Sequence, residues 1–309
     1  MKNKHFTELL LKLIISLIPN VFLKGKFKIW EKRGYHILPV HFYSPIPDTR
    51  TLSESIWDRK TCEGINFNPE VQLMILNEIC PLYKKEYDLF PKAPTNIPNQ
   101  FYLNAGNLEC VDAEILYSII RNYKPKRIFE IGSGFSTYLS SEAIKKNELE
   151  NQSWNCELIA IEPFPNRIIK NGFPGLSKLI EQRVETLDAN IFTQLKENDI
   201  LFIDSSHVSK IGSDVNFEFF EVLPKLNKGV FVHFHDIFLP FDYPKAWIQS
   251  RNRFWNEQYM LHAFLMFNER FKVVWASNYM KINYKDNISK QFNSFNENAQ
   301  PGSFWIMRK

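Results

Sequence analysis

The sequence is poor in cysteine, with four in 309 residues: Cys62, Cys80, Cys110 and Cys156. None forms a C-x-x-C pair, and none stands at zinc-finger spacing from a histidine. A disulfide-stapled secreted scaffold is therefore excluded, and four reduced thiols in a cytoplasmic protein are expected. Long hydrophobic runs are missing as well. Leu9 to Ile18 is interrupted by Lys12 and Ser16 and stops at Pro19, far short of the roughly 20 residues a spanning helix needs. Residues 19–22, Pro-Asn-Val-Phe, offer no small-residue cleavage site for a signal peptide. No charge dominates: 38 Lys and Arg against 34 Asp and Glu leave +4, dispersed enough along the chain to argue against a nucleic-acid partner. There is no internal repeat.

What is present is ordinary globular material, 44% hydrophobic and 23% charged, with 27 phenylalanines for core bulk. The length suits one large domain or two modest ones. Three segments are expected. Residues 1–24 read as a helix on which Glu8, Lys12, Ser16 and Asn20 form one narrow polar stripe. Such a helix docks on the main domain or a partner subunit. Alternatively it lies in a membrane interface, helped by Lys2, Lys4, Lys24, Lys26 and Lys28. Residues 25–105 are punctuated by prolines and read as an irregular cap, with short helices at 52–58 and 69–79 and with Tyr35, Phe42, Tyr43 and Trp57 needing burial. From 106 to 309 short apolar runs alternate with helical patterns. Asp112 is placed to cap a helix over 113–123. Strands are expected at 127–131, 157–161, 178–184, 199–204, 229–235, 271–277 and 303–308, with helices at 137–146, 214–226 and 252–267. Continuous apolar strands alternating with helices mean an α/β fold with a mostly parallel sheet buried on both faces. Residues 281–302 are polar and read as a long loop.

The sharpest local signal is Glu130-Ile131-Gly132-Ser133-Gly134-Phe135-Ser136-Thr137, which leaves a strand and opens a helix. Glycines there allow a tight turn and close approach of a ligand. The second strand ends in Glu162, where a carboxylate can take both hydroxyls of a ribose. The dinucleotide pattern wants a third glycine where Thr137 stands. Glu130, two residues before the first glycine, would oppose a pyrophosphate and welcome a cation such as S-adenosylmethionine (SAM). Asp204 with His207, and His235 with Asp236, end the next two expected strands and should face the same crevice. Two carboxylates so close need a cation or a proton between them.

Taken in order, Glu130 to Ser136, Ile161-Glu162-Pro163, Phe202 to His207 and His235-Asp236 resemble a class I SAM-dependent methyltransferase, in the branch of cephalosporin-hydroxylase-like proteins and small bacterial O-methyltransferases. The resemblance covers roughly residues 100–309. It implies a Rossmann-like seven-stranded sheet of order 3-2-1-4-5-7-6 with helices on both faces and the last strand antiparallel. It implies SAM held by Glu130, Gly132, Ser133, Gly134, Ser136, Glu162 and Asp204, with Tyr102 and Asn104 in reach. It also implies a candidate divalent metal, Mg²⁺ or Mn²⁺, at Asp204 and Asp236. The sequence departs from the pattern at Ser136, where many members carry a third glycine, and at His235, where the branch often has Glu.

The expected reaction is O-methylation of a small-molecule or glycan hydroxyl, with His207, His235 and Asp236 as catalytic candidates and His207 or His235 as base. The stiff loop Ile237 to Pro244 would close over the acceptor. Trp247, Arg251, Trp255, Glu257 and Tyr259 suit a sugar-like acceptor and equally an ordinary core. A cephalosporin-hydroxylase-like oxidative enzyme and a non-catalytic SAM-binding or partner-binding subunit remain alternatives, and a homo-oligomer is compatible with the sequence.

Overall fold

A computed structural model describes residues 2–17, 26–60 and 62–309. The chain divides into two compact units, Met1–Ile56 and Trp57–Lys309. In the first, α1 (Lys2–Leu17) and α2 (Phe27–Glu31) are its helices of five residues or more among the described residues. Leu10, Leu11, Leu13 and Ile14 of α1 are exposed, as are Glu8, Lys12 and Ser16. The end of the expected polar stripe at Asn20, the break at Pro19, and Lys24 lie outside the described residues. Tyr35, Phe42 and Tyr43, expected to need burial, are 65%, 80% and 82% exposed. Nothing within this short unit is large enough to cover them.

The second unit is built on a seven-stranded sheet, β1 (Arg127–Ile131), β2 (Glu157–Ile161), β3 (Lys178–Ile180), β4 (Ile200–Ile203), β5 (Phe231–Phe234), β6 (Phe271–Ala276) and β7 (Phe304–Arg308). Its order is β3-β2-β1-β4-β5-β7-β6, with β7 antiparallel to both neighbours. The apolar strands feed two cores by simple alternation. Ile128, Leu158, Ile200, Phe202 and Phe231 face one layer, which contains α5 (Asp112–Tyr123) and α6 (Phe135–Glu150). Phe129, Ile159, Leu201, Ile203, Val232 and Phe234 face the other, which includes α9 (Glu257–Leu265). Strands apolar on both sides have no solvent face, so the chain must cover each with helices.

Three readings change. Residues 57–105 belong to the main unit, because α3 (Pro69–Met74), a π turn at Ile75–Ile79 and α4 (Cys80–Tyr87) form a nearly unbroken helix whose Ile75, Leu76, Ile79 and Cys80 are buried beside α5. The expected loop 281–302 begins with helices Ser277–Asn283 and Lys285–Gln291, anchored by buried Met280, Ile288 and Phe292. Asp112 does not cap α5. Glu114 accepts the Val111 N–H at 2.7 Å, which frees the Asp112 carboxylate to accept from the Gly302 and Ser303 amides and fix the entry to β7.

Candidate active site

The carboxyl ends of β1, β2, β4 and β5 open on two adjoining cavities, of about 310 and about 820 Å³. Crevices there are where open α/β sheets bind ligands. Asp204, Ser205 and Ser206 wall both.

The glycine turn stands between them. Gly132 has φ +80°, and a Cβ on it would lie 2.0 Å from the Asp204 carbonyl oxygen. Only glycine lets the ends of β1 and β4 approach so closely. Gly134 is extended, and a Cβ there would meet only open space in the larger cavity, room a ligand can use. The amides of the turn are already engaged: Gly132 donates to Ile161 O, Ser133 to Glu162 Oε2 and Gly134 to Thr137 Oγ1. Thr137, at the place of a third glycine, closes the turn with its hydroxyl. A turn whose amides are occupied makes a poor pyrophosphate cradle.

Glu162 lines the smaller cavity, its carboxylate steadied by the Ser133 and Phe164 amides at 3.2 and 2.7 Å. Lone pairs remain on both oxygens for two hydroxyls. Glu130 sits beneath the cavities and does not line them. It is buried, one oxygen accepts from Ser136 Oγ and the other has no partner. Burial pushes its carboxyl up to about 8, against the pull of the Ser136 and Thr137 hydroxyls. Ser136, in place of a glycine, thus satisfies half of a buried acid.

On the acceptor side, Asp204 follows β4 and His235-Asp236 follow β5, its parallel neighbour. One oxygen of Asp204, one of Asp236 and a ring nitrogen of His207 all lie within 4.8 Å of one another. His207 and Asp236 hold left-handed backbones, φ +59° and +56°, sparsely populated conformations that often mark functional sites. His207 is tied down from three directions. Its carbonyl accepts the amides of Asn256 and Glu257 at the start of α9. That docks α9 so that the fully buried Glu257 carboxylate meets Nδ1 at 2.8 Å, while Nε2 stands 3.2 Å from Asp204 and 3.8 Å from Asp236. Burial lowers the basicity of His207, but Asp204 and Glu257 outweigh it and hold the ring protonated well above its usual range. Burial opposes ionisation of Asp204 too, yet His235, His207 and His233 draw its pKa down to about 2. His235 lines the larger cavity with its Nδ1 unpartnered, and its pKa is raised because Asp236, Asp204 and Asp112 overcome its desolvation.

Other expectations fall elsewhere. The loop 237–244 is no lid: Ile237, Phe238, Leu239 and Tyr243 are buried, and Gln258 holds it by accepting the Phe238 amide and donating to Phe241 O. Four large apolar groups gain more in the core than over a wet cavity. Tyr102 and Asn104 do not line either cavity; residues 106–110 do, from the same segment. Cys110 is in that wall, but burial pushes its thiol up to about 12, so it is no nucleophile. Tyr259 is turned to Asp242 at 2.6 Å. The pairing of Glu257 with His207 and the place of Arg253 in the larger cavity carry no local sequence signal.

A methyltransferase domain profile matches residues 129–237. An uncharacterized protein of Archaeoglobus fulgidus is 37% identical over 171 residues, covering 52% of this chain and 75% of that protein. Among solved structures, an apo form named CmcI-N160 is 14% identical over 65% of this chain and 72% of its own, with a TM-score of 0.38. An O-methyltransferase from Bacillus cereus, solved with SAH, is 10% identical over 79% of this chain and 98% of its own, with a TM-score of 0.36. The matched profile runs from the glycine turn through Glu162 and Asp204 to Asp236, on a sheet of order β3-β2-β1-β4-β5-β7-β6, and the chain carries a methyltransferase domain over residues 129–237.

Proposed function

We propose that this enzyme moves the SAM methyl group to a hydroxyl of a small-molecule or glycan acceptor, at a site that holds a divalent cation. The observation that supports it most is the convergence of Asp204, His207 and Asp236 in the larger cavity, beside the glycine turn. These residues fit a cation: two carboxylates and one imidazole suit Mn²⁺ or Mg²⁺, and a histidine ligand whose other nitrogen is fixed by a carboxylate is the usual outer arrangement, here supplied by Glu257. Such a cation acts as a Lewis acid on an acceptor hydroxyl.

Glu162 takes the ribose hydroxyls in the smaller cavity. Gly134 leaves room for the methionine half of SAM. Glu257 keeps the Nε2 of His207 turned toward Asp204 and Asp236. With Glu257 on its Nδ1 and its Nε2 turned toward Asp204 and Asp236, His207 has no nitrogen left for the acceptor, which leaves His235, in the wall of the larger cavity, as the base. The methyl carbon is already activated by its sulfonium, so in-line placement and removal of that proton are what the protein must supply.

Calorimetry with Mn²⁺ on the SAH-loaded protein tests the cation site. Binding in the wild type, lost in Asp236→Asn while SAH affinity stays within about twofold, is the expected result. Transfer of labelled methyl from SAM should stop with chelator and return with Mn²⁺ or Mg²⁺. Full turnover in excess chelator would overturn the cation and leave His207 or His235 to act alone.

A further inference from the structure

The larger cavity has a wall that methyl transfer does not explain. Trp247 of α8 (Lys245–Gln249) lines it together with Arg251, Arg253 and Trp255, which follow in the segment between α8 and α9. The two indoles meet edge to face, with centroids 5.2 Å apart at 82°. The Arg253 guanidinium lies against both, 4.8 Å from each ring centroid. On the other side, Trp255 packs on the His207 imidazole, with centroids 4.3 Å apart. A single indole therefore separates Arg253 from the cluster where transfer is to occur.

The arrangement decides what these tryptophans are for. Trp255 is held between His207 and Arg253, and Trp247 carries Arg253 as well, so their surfaces position a guanidinium rather than offer a bare stacking platform. A guanidinium held by ring contacts rather than by an acid keeps N–H groups for another partner, and those groups form a fork that matches carboxylate and phosphate. Arg253 is only half exposed, so desolvation strengthens such a contact. Yet among the described residues neither Arg251 nor Arg253 meets an acidic side chain. Among the described residues three of the seven other arginines of the same unit do: Arg121 pairs with Glu86 and Glu150, Arg127 with Glu157, and Arg183 with Glu185. Two arginines without acidic partners on one cavity wall, one of them preset by aromatic rings, form a receptor for an anion that the protein does not itself provide.

We infer that the acceptor carries a carboxylate or phosphate, held by Arg253 and Arg251 while its hydroxyl reaches toward Asp236. This inference rests on the transferase reading and narrows it to an acidic acceptor. It also assigns acceptor specificity to residues 247–255.

The test uses the full chain saturated with SAH and three matched probes: glucose, glucuronate and glucose 1-phosphate. Binding is followed by calorimetry and by the fluorescence of the tryptophans. At least one acidic probe is expected to bind about tenfold or more tighter than glucose, as hydrogen bonds to charged groups allow. Glucuronate against glucose 1-phosphate then tells carboxylate from phosphate. The double variant Arg251→Gln, Arg253→Gln should abolish the preference and keep SAH affinity. Arg253→Lys alone should recover only part of it, because a point charge cannot reproduce the fork. Equal binding of charged and neutral probes, no binding of any, or a preference that survives in the double variant overturns the inference. A wild type that fails to bind SAH would instead count against the transferase reading.

Discussion

Residues 1–56 and residues 57–309 solve opposite problems with the same amino acids. The larger unit hides its apolar side chains in two layers around one sheet and brings its acids, histidines and arginines to one edge of that sheet. The smaller has no fully buried residue among those described, and leaves Leu13, Val40, Phe42 and Tyr43 at the surface. Charge divides the same way. Nine basic residues oppose four acidic ones in the first 56, whereas 29 oppose 30 in the rest. The net +4 that looked dispersed is therefore a +5 unit joined to a nearly neutral one. The contrast teaches that the sheet and the candidate site lie after residue 56, and that the first unit exposes apolar side chains on a basic segment.

That contrast can be broken most forcefully at Gly132. A methyl group there would collide with the Asp204 carbonyl at a residue that also needs positive φ. Gly132→Ala should destabilise the main unit by about 2–4 kcal/mol, read as a fall in its melting midpoint. An unchanged midpoint would mean that β1 and β4 can part without loss. Next in size, Glu162→Ala should weaken SAM binding roughly 10- to 100-fold by calorimetry, since it removes hydrogen bonds to a charged group. Unaltered affinity would remove Glu162 from the donor site.

Glu130 sharpens the comparison through pH. Its carboxyl titrates near 4.5 when free and about 8 when folded, so the folded chain binds the extra proton between those values. This contribution to stability is complete below pH 4.5 and is lost as pH rises through about 8. The melting midpoint should decline across that window, and Glu130→Gln should flatten the decline. A slope unchanged in the variant would assign the effect to other groups.

The smallest effect on chemistry is expected from the first unit. Removing residues 1–56 should leave SAM affinity within about twofold, because every residue assigned to the donor site lies beyond them. It should abolish sedimentation with phosphatidylserine vesicles, which the full chain is expected to show at low salt and lose at high salt. No helix among the described residues is long and apolar enough to cross a membrane, so any attachment by such a helix would be to the surface. Equal sedimentation with neutral phosphatidylcholine vesicles would argue that charge has no part in it.

The sheet was legible because a strand buried on both faces is a continuous apolar word: Arg127–Ile131 and Glu157–Ile161 begin and end where the sequence places them. Gly132 and Glu162 were legible because the turn and the strand tip are local. Residues 281–302 were misread because asparagine and lysine hide sparse anchors, although Ile288 and Phe292 already stand one helical turn apart. The loop after Asp236 misled for the opposite reason, since aromatic side chains suit a lid and a core alike. Glu257 could not be paired with His207 in advance. Fifty residues separate them, and only the docking of α9 on the His207 carbonyl brings them together.

Asp204, Ser205 and Ser206 are shared property of the two chambers. On the proposed assignment donor and acceptor both meet these three residues. Thermodynamic reciprocity then applies: by whatever factor SAM changes the affinity for acceptor, acceptor changes the affinity for SAM by the same factor. The three-residue partition is where such a coupling would act.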